Sequence, residues 1–434
     1  MIVCKFGGSS VADAKQIVKV KAIVEADPKR QIVIVSAPGK RNKDDEKVTD
    51  MLYACNALAQ QGLTCKPVFK KIADRFTSIL EDLGIEKKPF VAVLEEVRQM
   101  IDAGHGAEYA ASRGEYLSAR MIAAYLGWDF LDADPYIVIN PDGTVHEQSY
   151  ENLRKVLKKD KKYIVPGFYG CDIEGKVKTF SRGGSDITGA ILSSAADAES
   201  YENWTDVSGV FSVDPRLVDN AKVIKTMTYR ELRELAGVGA NVFHEEAIAP
   251  VIAAQIPINV KNTNSPEDMG TMIVNERESG TAPLAGVSAK KGYSRITLRK
   301  LMLFKQSGTS HALLTMLYVF GIRPSFSLFG VDSIVWFFET SQASDSVLKA
   351  MCTRLTSEFS LDSIEVDHDH AIVGVVGEGV MGHRDLIAKV VGALDKESIR
   401  LNFLNFGASD TSLLLGVHAD KTQDAVITLY NALF

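Results

Sequence analysis

The sequence predicts an α/β protein: a three-layer α/β sandwich with a mainly parallel sheet, followed by two small α+β domains of βαββ character. Over residues 1–290, short apolar stretches rich in β-branched residues alternate with amphipathic helical patterns, which is typical of parallel strands joined by helices. After about residue 291 the order strand, helix, strand, strand occurs twice, with a period of roughly 70 to 80 residues. The sequences 329–333 and 406–410 resemble each other at equivalent places of the two copies. A duplicated module of this kind indicates ligand sensing or dimerisation, with a purely structural tail as the alternative.

The composition limits the class of protein. The chain has 434 residues, 46% hydrophobic and 24% charged, which is a globular composition sufficient for two or three domains. A formal net charge of −6 argues against non-specific binding to nucleic acid or to an anionic membrane. No apolar run is long enough to span a membrane, and the N-terminus has no signal-peptide pattern. Five scattered cysteines without a C-x-x-C pair predict a reduced, cytoplasmic protein without disulfides.

The first candidate site is the stretch KFGGSS at residues 5–10. It follows an apolar strand at 2–4 and precedes an amphipathic helix whose apolar positions run from Ala14 to Val24. Free backbone N–H groups and a helix N-terminus beside Lys5 favour an anion, most naturally a phosphate. Taken alone, the two glycines also fit an ordinary turn.

The next strand, at 31–35, ends in Ser-Ala-Pro-Gly, and ligands of open α/β sheets collect at such carboxyl ends. The charged run KRNKDDEK at 40–47 predicts a solvated loop, and 49–103 predicts helices interrupted near Gly62, Gly84 and Pro89. Ser-Arg-Gly-Glu at 112–115 predicts the opening of a helix over 116–126. Glu115 would then be a carboxylate in its first turn, ordinarily a partner of the helix dipole.

Further strands are predicted at 129–133, 136–140 and 162–165. A strand at 177–180 runs into SRGGSD at 181–186 and a helix over 187–196, which repeats the design of the opening stretch. Residues 201–204 lead into TDVSGVF at 205–211 and DPR at 214–216. Two helices around Glu231 and Glu246 precede a strand at 258–260.

The repeated modules have their own predicted elements. The first has a strand at 296–304, a helix at 310–320, and strands at 325–329 and 334–338. The second has a strand at 372–376, a helix at 384–394, and strands at 401–406 and 412–417. The literal G-x-G-x-x-G at Gly377, Gly379 and Gly382 is rejected as a dinucleotide fingerprint because too few residues follow it for a Rossmann half. The run DHDH at 367–370 predicts a solvated turn, and no P-loop or H-E-x-x-H motif is present.

KFGGSSV, SRGGSD and TDVSGVFSVDPR, in this order and at these intervals, resemble the motifs of the aspartokinases, which have the amino acid kinase fold. The C-terminal pair resembles the tandem ACT domains of the same family. The resemblance implies a catalytic domain over 1–290, ACT domains over 291–365 and 366–434, and a monofunctional enzyme. It implies transfer of the γ-phosphoryl group of ATP to the side-chain carboxylate of L-aspartate, giving 4-phospho-L-aspartate. This is the entry step to lysine, threonine and methionine synthesis.

The resemblance also implies a role for individual residues. Lys5 would stabilise the transferring phosphoryl group, Arg182 would clamp the α-carboxylate of aspartate, and Asp186 would hold Lys5, which makes these three the catalytic residues. ATP would be held by Lys5, Gly7, Gly8, Ser9, Thr205, Asp206, Phe211, Arg216 and Asn241. Aspartate would be held by Arg182, by Glu115 at its α-ammonium group, and by Ser36, Thr49 and Ser185. Mg²⁺ would be held mainly by the nucleotide phosphates, so no protein metal site is expected.

Three departures from the family pattern leave alternatives open. Phe211 stands where many members have Tyr, and Asn241 where many have a Lys that contacts ATP. Residues 306–310 and Ser325 differ from the pattern of lysine-inhibited members, so lysine, threonine or no effector at the ACT domains stays open. A homo-oligomer, dimer or tetramer, is expected. The rival hypotheses are another amino acid kinase, acting on glutamate or acetylglutamate, and a non-catalytic effector-binding regulator, which Phe211 and Asn241 would favour.

Overall fold

A computed structural model describes residues 1–181, 183–240, 245–277, 283–305 and 307–434, with the backbone alone at 245 and 246. The chain divides into two units. The first comprises Met1–Val210, Val223–Ala236 and Asn241–Ser279. The second comprises Phe211–Lys222, Gly237–Ala240 and Gly280–Phe434. Each unit is therefore assembled from three separate pieces of the sequence.

The first unit alternates strands and helices along the chain. Its elements are β1 (Ile2–Phe6), α1 (Ala14–Ala26), β2 (Arg30–Val35), α2 (Val48–Gln60), α3 (Lys66–Asp82), α4 (Lys87–Asp102), α5 (Ala107–Leu126), β3 (Asp129–Phe130), α6 (Gln148–Val156), β4 (Tyr163–Pro166), β5 (Tyr169–Cys171), β6 (Val177–Thr179), α7 (Gly184–Ala195), β7 (Ser200–Thr205), β8 (Thr226–Thr228), α8 (Tyr229–Gly237), α9 (Glu245–Ala253), β9 (Ile258–Asn262) and β10 (Thr271–Val274). Within the described residues, eight strands form one sheet in the order β3-β4-β2-β1-β7-β9-β10-β8. All its neighbouring pairs are parallel except β9 with β10.

Alternating side chains of the central strands supply the two faces of this sheet. Cys4 and Phe6 of β1 and Val33 of β2 belong to the hydrophobic core that α1 to α5 cover. On the other face α7 packs against β1, β2 and β7, and α6 and α9 pack against α7. The sheet thus lies between two layers of helices, and the predicted three-layer architecture with a mainly parallel sheet is confirmed.

The second unit is built around an antiparallel sheet. Its elements are β11 (Gly286–Arg299), α10 (Thr309–Val319), β12 (Phe326–Phe329), β13 (Ser333–Glu339), α11 (Asp345–Phe359), β14 (Ser363–Val376), α12 (Leu386–Lys396), β15 (Phe403–Phe406), β16 (Ser412–His418) and α13 (Thr422–Leu433). In this part of the structure six strands pair in the order β12-β13-β11-β14-β16-β15. The order is symmetric about the β11–β14 pair, as two copies of one βαββ module require, so the predicted duplication is confirmed.

The segment Phe211–Lys222 leaves the first unit and becomes part of the second. Val213 and Val218 lie in a hydrophobic core with residues of β14, β16 and α13. The hydroxyl of Tyr430 lies 3.3 Å from Ser212 Oγ and accepts a 3.2 Å hydrogen bond from the N–H of Lys222. Both ends of the segment are therefore attached to the last helix.

Several predicted element boundaries are wrong. Pro89 does not interrupt a helix but lies in the first turn of α4, where the missing N–H is not needed. The predicted strand at 136–140 makes isolated bridges only. The predicted strand at 296–304 begins earlier, as β11, and residues 301–304 form a turn. Helices α6, α11 and α13 and strands β5, β8 and β10 are not predicted from the sequence.

The run DHDH at 367–370 is not a solvated turn. It lies inside β14, where the ladder to β11 is irregular and Asp369 takes a left-handed φ of 61°. His370 is 2% exposed, and its ring nitrogens lie 3.1 Å from Asp367 Oδ2 and 2.9 Å from Asn402 Nδ2. Burial lowers the pKa of His370 because it disfavours the charged imidazolium. The motif is polar in sequence but contributes a buried, hydrogen-bonded side chain.

Two further observations concern the chain as a whole. In the part of the chain that the structure describes, no helix combines the length and the apolar character needed to cross a membrane. All five cysteines are free thiols.

Candidate active site

Four loops meet at one edge of the parallel sheet. Because β2, β1, β7 and β9 are adjacent and parallel, the loops that follow them leave from the same side. The register places Lys5 of β1 beside Ile34 of β2 and Asn203 of β7. Candidate residues that are far apart in the sequence are therefore gathered at this edge.

Lys5 is held by Asp186, which is oriented in turn by Asn203. Its Nζ lies 2.7 Å from Asp186 Oδ1, and Asn203 donates from Nδ2 to the same oxygen at 2.8 Å. Asp186 lies in the first turn of α7, where the helix dipole favours a carboxylate. Lys5 is 9% exposed, so its ammonium group has little freedom to leave this position. The sequence analysis names Lys5 and Asp186 but misses Asn203, whose only signal is its place in a strand beside β1.

The glycine loop after β1 forms a short 3-10 helix, Gly8–Val11, before α1 begins. The N–H of Gly7 donates to the carbonyl of Trp204 at 3.1 Å, so it is not free to bind a ligand as the sequence analysis expects. The N–H groups of Gly8 and Ser9 open the 3-10 helix and have no hydrogen-bond partner among the described residues. These two groups, beside the Lys5 ammonium, can bind an anion.

Glu115 is buried in the middle of a helix rather than at its start. Helix α5 begins at Ala107, so the predicted first-turn position is wrong. The glycine that suggested a helix start is a packing residue: a Cβ on Gly114 would lie 2.7 Å from the Cβ of Ala37. Close packing, and not a helix boundary, accounts for the glycine.

The carboxyl group of Glu115 has one oxygen without a partner. Oε2 is buried and makes no hydrogen bond, while a hydrogen bond from the N–H of Ala37 favours the ionised form. Burial outweighs that bond and raises the pKa of Glu115 to about 8. An orphaned carboxylate oxygen of this kind suits a cationic ligand group.

Hydroxyl groups lie near the carboxyl end of β2. Ser36 donates from Oγ to Ser185 Oγ at 3.0 Å, which links the loop after β2 to the first turn of α7. A Cβ on Gly167 would lie 2.6 Å from Ser185, so the loop after β4 also packs closely here. Thr49 is half-buried in the first turn of α2. The aspartate-binding roles of these three hydroxyl residues stay predictions.

Arg182 lies outside the described residues. The elements on either side of it show that the predicted repeat of the opening design is only partial. Strand β6 pairs with β5 in a separate two-stranded sheet, whereas β1 is a central strand of the large one. Gly183 follows with a left-handed φ of 59° and precedes α7. The strand that precedes α7 in the sequence after β5 is therefore part of a hairpin and not of the large sheet.

Two of the residues predicted to bind ATP, Thr205 and Asp206, lie at the end of β7. Thr205 ends β7 and its hydroxyl donates to Asp206 Oδ1 at 3.2 Å. Thr263, after β9, donates its N–H to the carbonyl of Thr205 at 2.9 Å, and its hydroxyl lies 2.7 Å from Ser10 Oγ. Thr263 connects two of the loops at this edge and is missed by the sequence analysis, because a single Thr after a strand is no motif.

Three further residues are predicted to bind the nucleotide. Phe211 and Arg216 belong to the second unit, where Arg216 pairs with Asp214 at 2.7 Å. Asn241 lies outside the described residues. Among the side chains that the structure does describe, no group of three or more His, Cys, Asp and Glu could hold a metal ion.

Comparisons with known proteins give the relatives of this chain. The model of the amino acid kinase family matches residues 1–262, and that of an ACT domain matches residues 373–433. Aspartokinase 3 of Bacillus subtilis (strain 168) is 34% identical over 451 residues, which cover 100% of this chain and 99% of the relative.

Solved structures have the same architecture. The crystal structure of Clostridium acetobutylicum aspartate kinase matches with a TM-score of 0.95 and 40% identity, over 100% of both chains. The structure of E. coli aspartokinase III in complex with aspartate and ADP matches with a TM-score of 0.80 and 24% identity, over 100% of both chains, and this likeness supports the fold alone.

Proposed function

The chain belongs to the aspartokinases of the amino acid kinase family, and on that premise we propose that the sheet edge around Lys5 transfers the γ-phosphoryl group of ATP to L-aspartate. The product is 4-phospho-L-aspartate, formed at the side-chain carboxylate. This is the first step of lysine, threonine and methionine synthesis.

One observation carries the choice of an amino acid as acceptor. Glu115 Oε2 is buried without a partner, and the Glu115 carboxyl group accepts a hydrogen bond from Ala37, in the loop after β2 whose Gly39 donates to the carbonyl of Gly8. An ionised, buried carboxylate would repel phosphate, but it would form an ion pair with the α-ammonium group of an amino acid. Arg182 would bind the α-carboxylate, as the family resemblance implies, with Ser36, Thr49 and Ser185 around the acceptor.

The chemistry needs few covalent participants. An oxygen of the aspartate side-chain carboxylate attacks the γ-phosphorus, the bond from that phosphorus to the bridging oxygen breaks, and ADP leaves with the bonding electrons. No general base is required, because a carboxyl group with a pKa near 4 is ionised at neutral pH. Catalysis then depends on positioning and on charge.

Lys5 supplies the charge. Its ammonium group would lie against the transferring phosphoryl group. Asp186 Oδ1 holds it at 2.7 Å, and the same oxygen accepts a 2.8 Å hydrogen bond from Asn203 Nδ2. The N–H groups of Gly8 and Ser9 would donate to the phosphates. Thr205, Asp206, Phe211, Arg216 and Asn241 keep their proposed roles around the nucleotide.

Membership of the aspartokinases also implies a divalent ion, a cellular compartment and an effector. Mg²⁺ would accompany ATP and neutralise its phosphates, held mainly by the nucleotide, with Asp186 already engaged by Lys5. Free cysteines fit a reduced cytoplasm. The ACT domains would bind an amino acid effector, lysine or threonine, in a homo-oligomer.

The test is an ADP-coupled assay with a panel of carboxylates. We expect turnover with L-aspartate and little with L-glutamate or N-acetyl-L-glutamate. The last compound is the sharper control, because it has no ammonium group for Glu115. Turnover with either alternative but not with aspartate would refute the assignment.

Effector binding is a separate question. Titration of the protein with lysine, threonine and methionine in a calorimeter, followed by the assay at saturating effector, would identify the ligand of the ACT domains. Absence of binding by all three would refute an amino acid effector of this pathway.

A further inference from the structure

Arg75 is a buried arginine that the proposed mechanism does not use. It belongs to α3 and is 4% exposed. Removing a guanidinium group from water is unfavourable in free energy unless polar groups surround it. The burial of Arg75 therefore depends on its polar contacts.

The guanidinium group contacts two separate loops. Nη1 lies 3.1 Å from Asp45 Oδ2 and donates to the carbonyl of Glu46 at 3.1 Å. Nη2 donates to the carbonyl of Ala12 at 3.3 Å and to that of Gly39. Ala12 follows the 3-10 helix of the glycine loop, whereas the other three residues belong to the loop after β2. One side chain therefore joins the two loops that border the phosphate site.

The second link is a backbone contact between Gly39 and Gly8. The N–H of Gly39 donates to the carbonyl of Gly8 at 2.8 Å. A Cβ on Gly39 would lie 2.6 Å from the carbonyl carbon of Gly8, and one on Gly8 would lie 2.9 Å from the carbonyl oxygen of Ala37. The loops are too close for any side chain at either glycine, so the position of Gly39 determines the position of Gly8.

The charged run at 40–47, predicted as a solvated loop, is partly an element of this arrangement. Asp45 Oδ2 accepts from the N–H and from Nε of Arg41, at 3.0 Å and 2.9 Å. The side chain of Asp45 is 12% exposed. Asp45 thus lies between one solvated and one buried arginine, and its charge offsets the burial of Arg75.

We propose that Arg75 is a positioning residue for nucleotide binding. It fixes Gly39 against Gly8 and thereby orients the N–H groups of Gly8 and Ser9 toward the phosphates. This inference rests on the proposed ATP site, and it adds a residue that never touches the nucleotide.

The test uses the full chain and the variants Arg75→Met and Arg75→Lys, with MgADP as the probe in calorimetry. We expect Arg75→Met to raise the Kd for MgADP and the KM for ATP about tenfold, because a small misplacement of binding groups is expensive. The KM for aspartate should change less than the KM for ATP, because the hydrogen bonds of Ser36 to Ser185 and of Ala37 to Glu115 do not involve Arg75. Arg75→Lys, which keeps the charge but contacts fewer carbonyls, should be intermediate.

Gly39→Ala reaches the same contact from the other side. We expect it to weaken MgADP binding by a similar factor and, combined with Arg75→Met, to add little, because both changes disrupt one contact.

The matched control for Arg75→Met is Arg277→Met. Arg277 is a buried arginine of the same unit, paired with Glu231 at 2.5 Å and 7% exposed. It should lower the Tm without changing the Kd for MgADP.

The possible outcomes separate the two hypotheses. If the Arg75 variants lower the Tm but leave the Kd for MgADP within about twofold of wild type, Arg75 is merely structural and the inference is overturned. Full additivity of Arg75→Met and Gly39→Ala would also overturn it. A wild-type protein that does not bind MgADP would instead refute the proposed function, and the inference with it.

Discussion

Lys5 Nζ and Asp186 Oδ1 lie 2.7 Å apart, and that same carboxylate oxygen accepts a hydrogen bond from Asn203 at 2.8 Å. A single oxygen thus connects β1, the start of α7 and β7. Asp186 fixes the direction of the ammonium group, and Asn203 in turn orients the carboxylate of Asp186. This arrangement leads to the first two predictions.

Replacement of Lys5 by Ala should lower kcat by about 10²-fold or more, because it removes a charge that acts on the transition state. The measurement is steady-state kinetics in the ADP-coupled assay. Lys21→Ala in α1, which loses a surface lysine, serves as the control. A kcat close to wild type would contradict the role of Lys5.

Replacement of Asn203 by Leu should lower kcat about tenfold while the KM values for ATP and aspartate change less than about threefold. The leucine keeps the volume but removes the donor that orients Asp186, so Lys5 loses its fixed direction. Asn259→Leu, in β9 at a position whose Oδ1 has no partner, is the matched control. Equal losses in both variants would mean that the effect is general destabilisation.

The KM for aspartate should depend on pH through Glu115. In the empty site burial raises the pKa of Glu115 to about 8, so its carboxyl group is mostly protonated at neutral pH. The substrate ammonium group needs the ionised form. The KM for aspartate should therefore fall by up to about tenfold per pH unit as pH rises toward 8, and then level off.

Glu115→Gln provides the control for that profile. The amide cannot ionise, so the KM for aspartate should be high and independent of pH between about 6 and 8. The dependence of the KM for ATP on pH should be the same in the wild type and in the Glu115→Gln variant. A pH-dependent KM for aspartate in the Gln variant would assign the ionisation to another group.

Gly114→Ala should raise the KM for aspartate about tenfold with a small effect on the KM for ATP. The new Cβ would lie 2.7 Å from the Cβ of Ala37, whose N–H bonds Glu115, so one of the two must move. Gly392→Ala is the control, because a Cβ there meets open space within α12, and alanine is the better helix former. Unchanged aspartate kinetics in the Gly114 variant would show that the pocket tolerates this shift.

Val213→Ala should destabilise the second unit by about 2 kcal/mol, because it removes two buried methyl groups from its core. Val207→Ala, at a position 44% exposed, should stay within about 0.5 kcal/mol of wild type. Calorimetric unfolding of both variants measures the difference. Equal stability of the two would mean that Val213 is not part of that core in solution.

The fold was predictable where the sequence carries a strong local pattern. The apolar strand before Lys5, the turn SRGGSD and the duplicated βαββ order each mark an element that the structure contains. These signals depend on periodicity and on turn residues, which act over a few neighbouring positions. The pairing of Lys5 with Asp186 came from the resemblance to the aspartokinases and not from these local signals.

The errors have a common cause in contacts between distant residues. Gly114 resembles a helix start, but it is a glycine because Ala37 packs against it. His370 lies in a polar run yet is buried beside Asn402. Asn203 and Thr263 are ordinary residues until the sheet places them beside Asp186 and Ser10. A single sequence contains no local signal for such contacts.

The excursion Phe211–Lys222 has a consequence for how the protein can be divided. A fragment beginning at residue 280 would contain all six strands of the antiparallel sheet but would lack Val213 and Val218. It would expose an apolar gap beside α13, and the hydroxyl of Tyr430 would lose the N–H of Lys222. The second unit therefore cannot be transferred to another enzyme as one continuous segment. Exchanging it between enzymes would require the twelve-residue insert, Phe211–Lys222, and the segment Gly237–Ala240 to be exchanged along with the C-terminal piece.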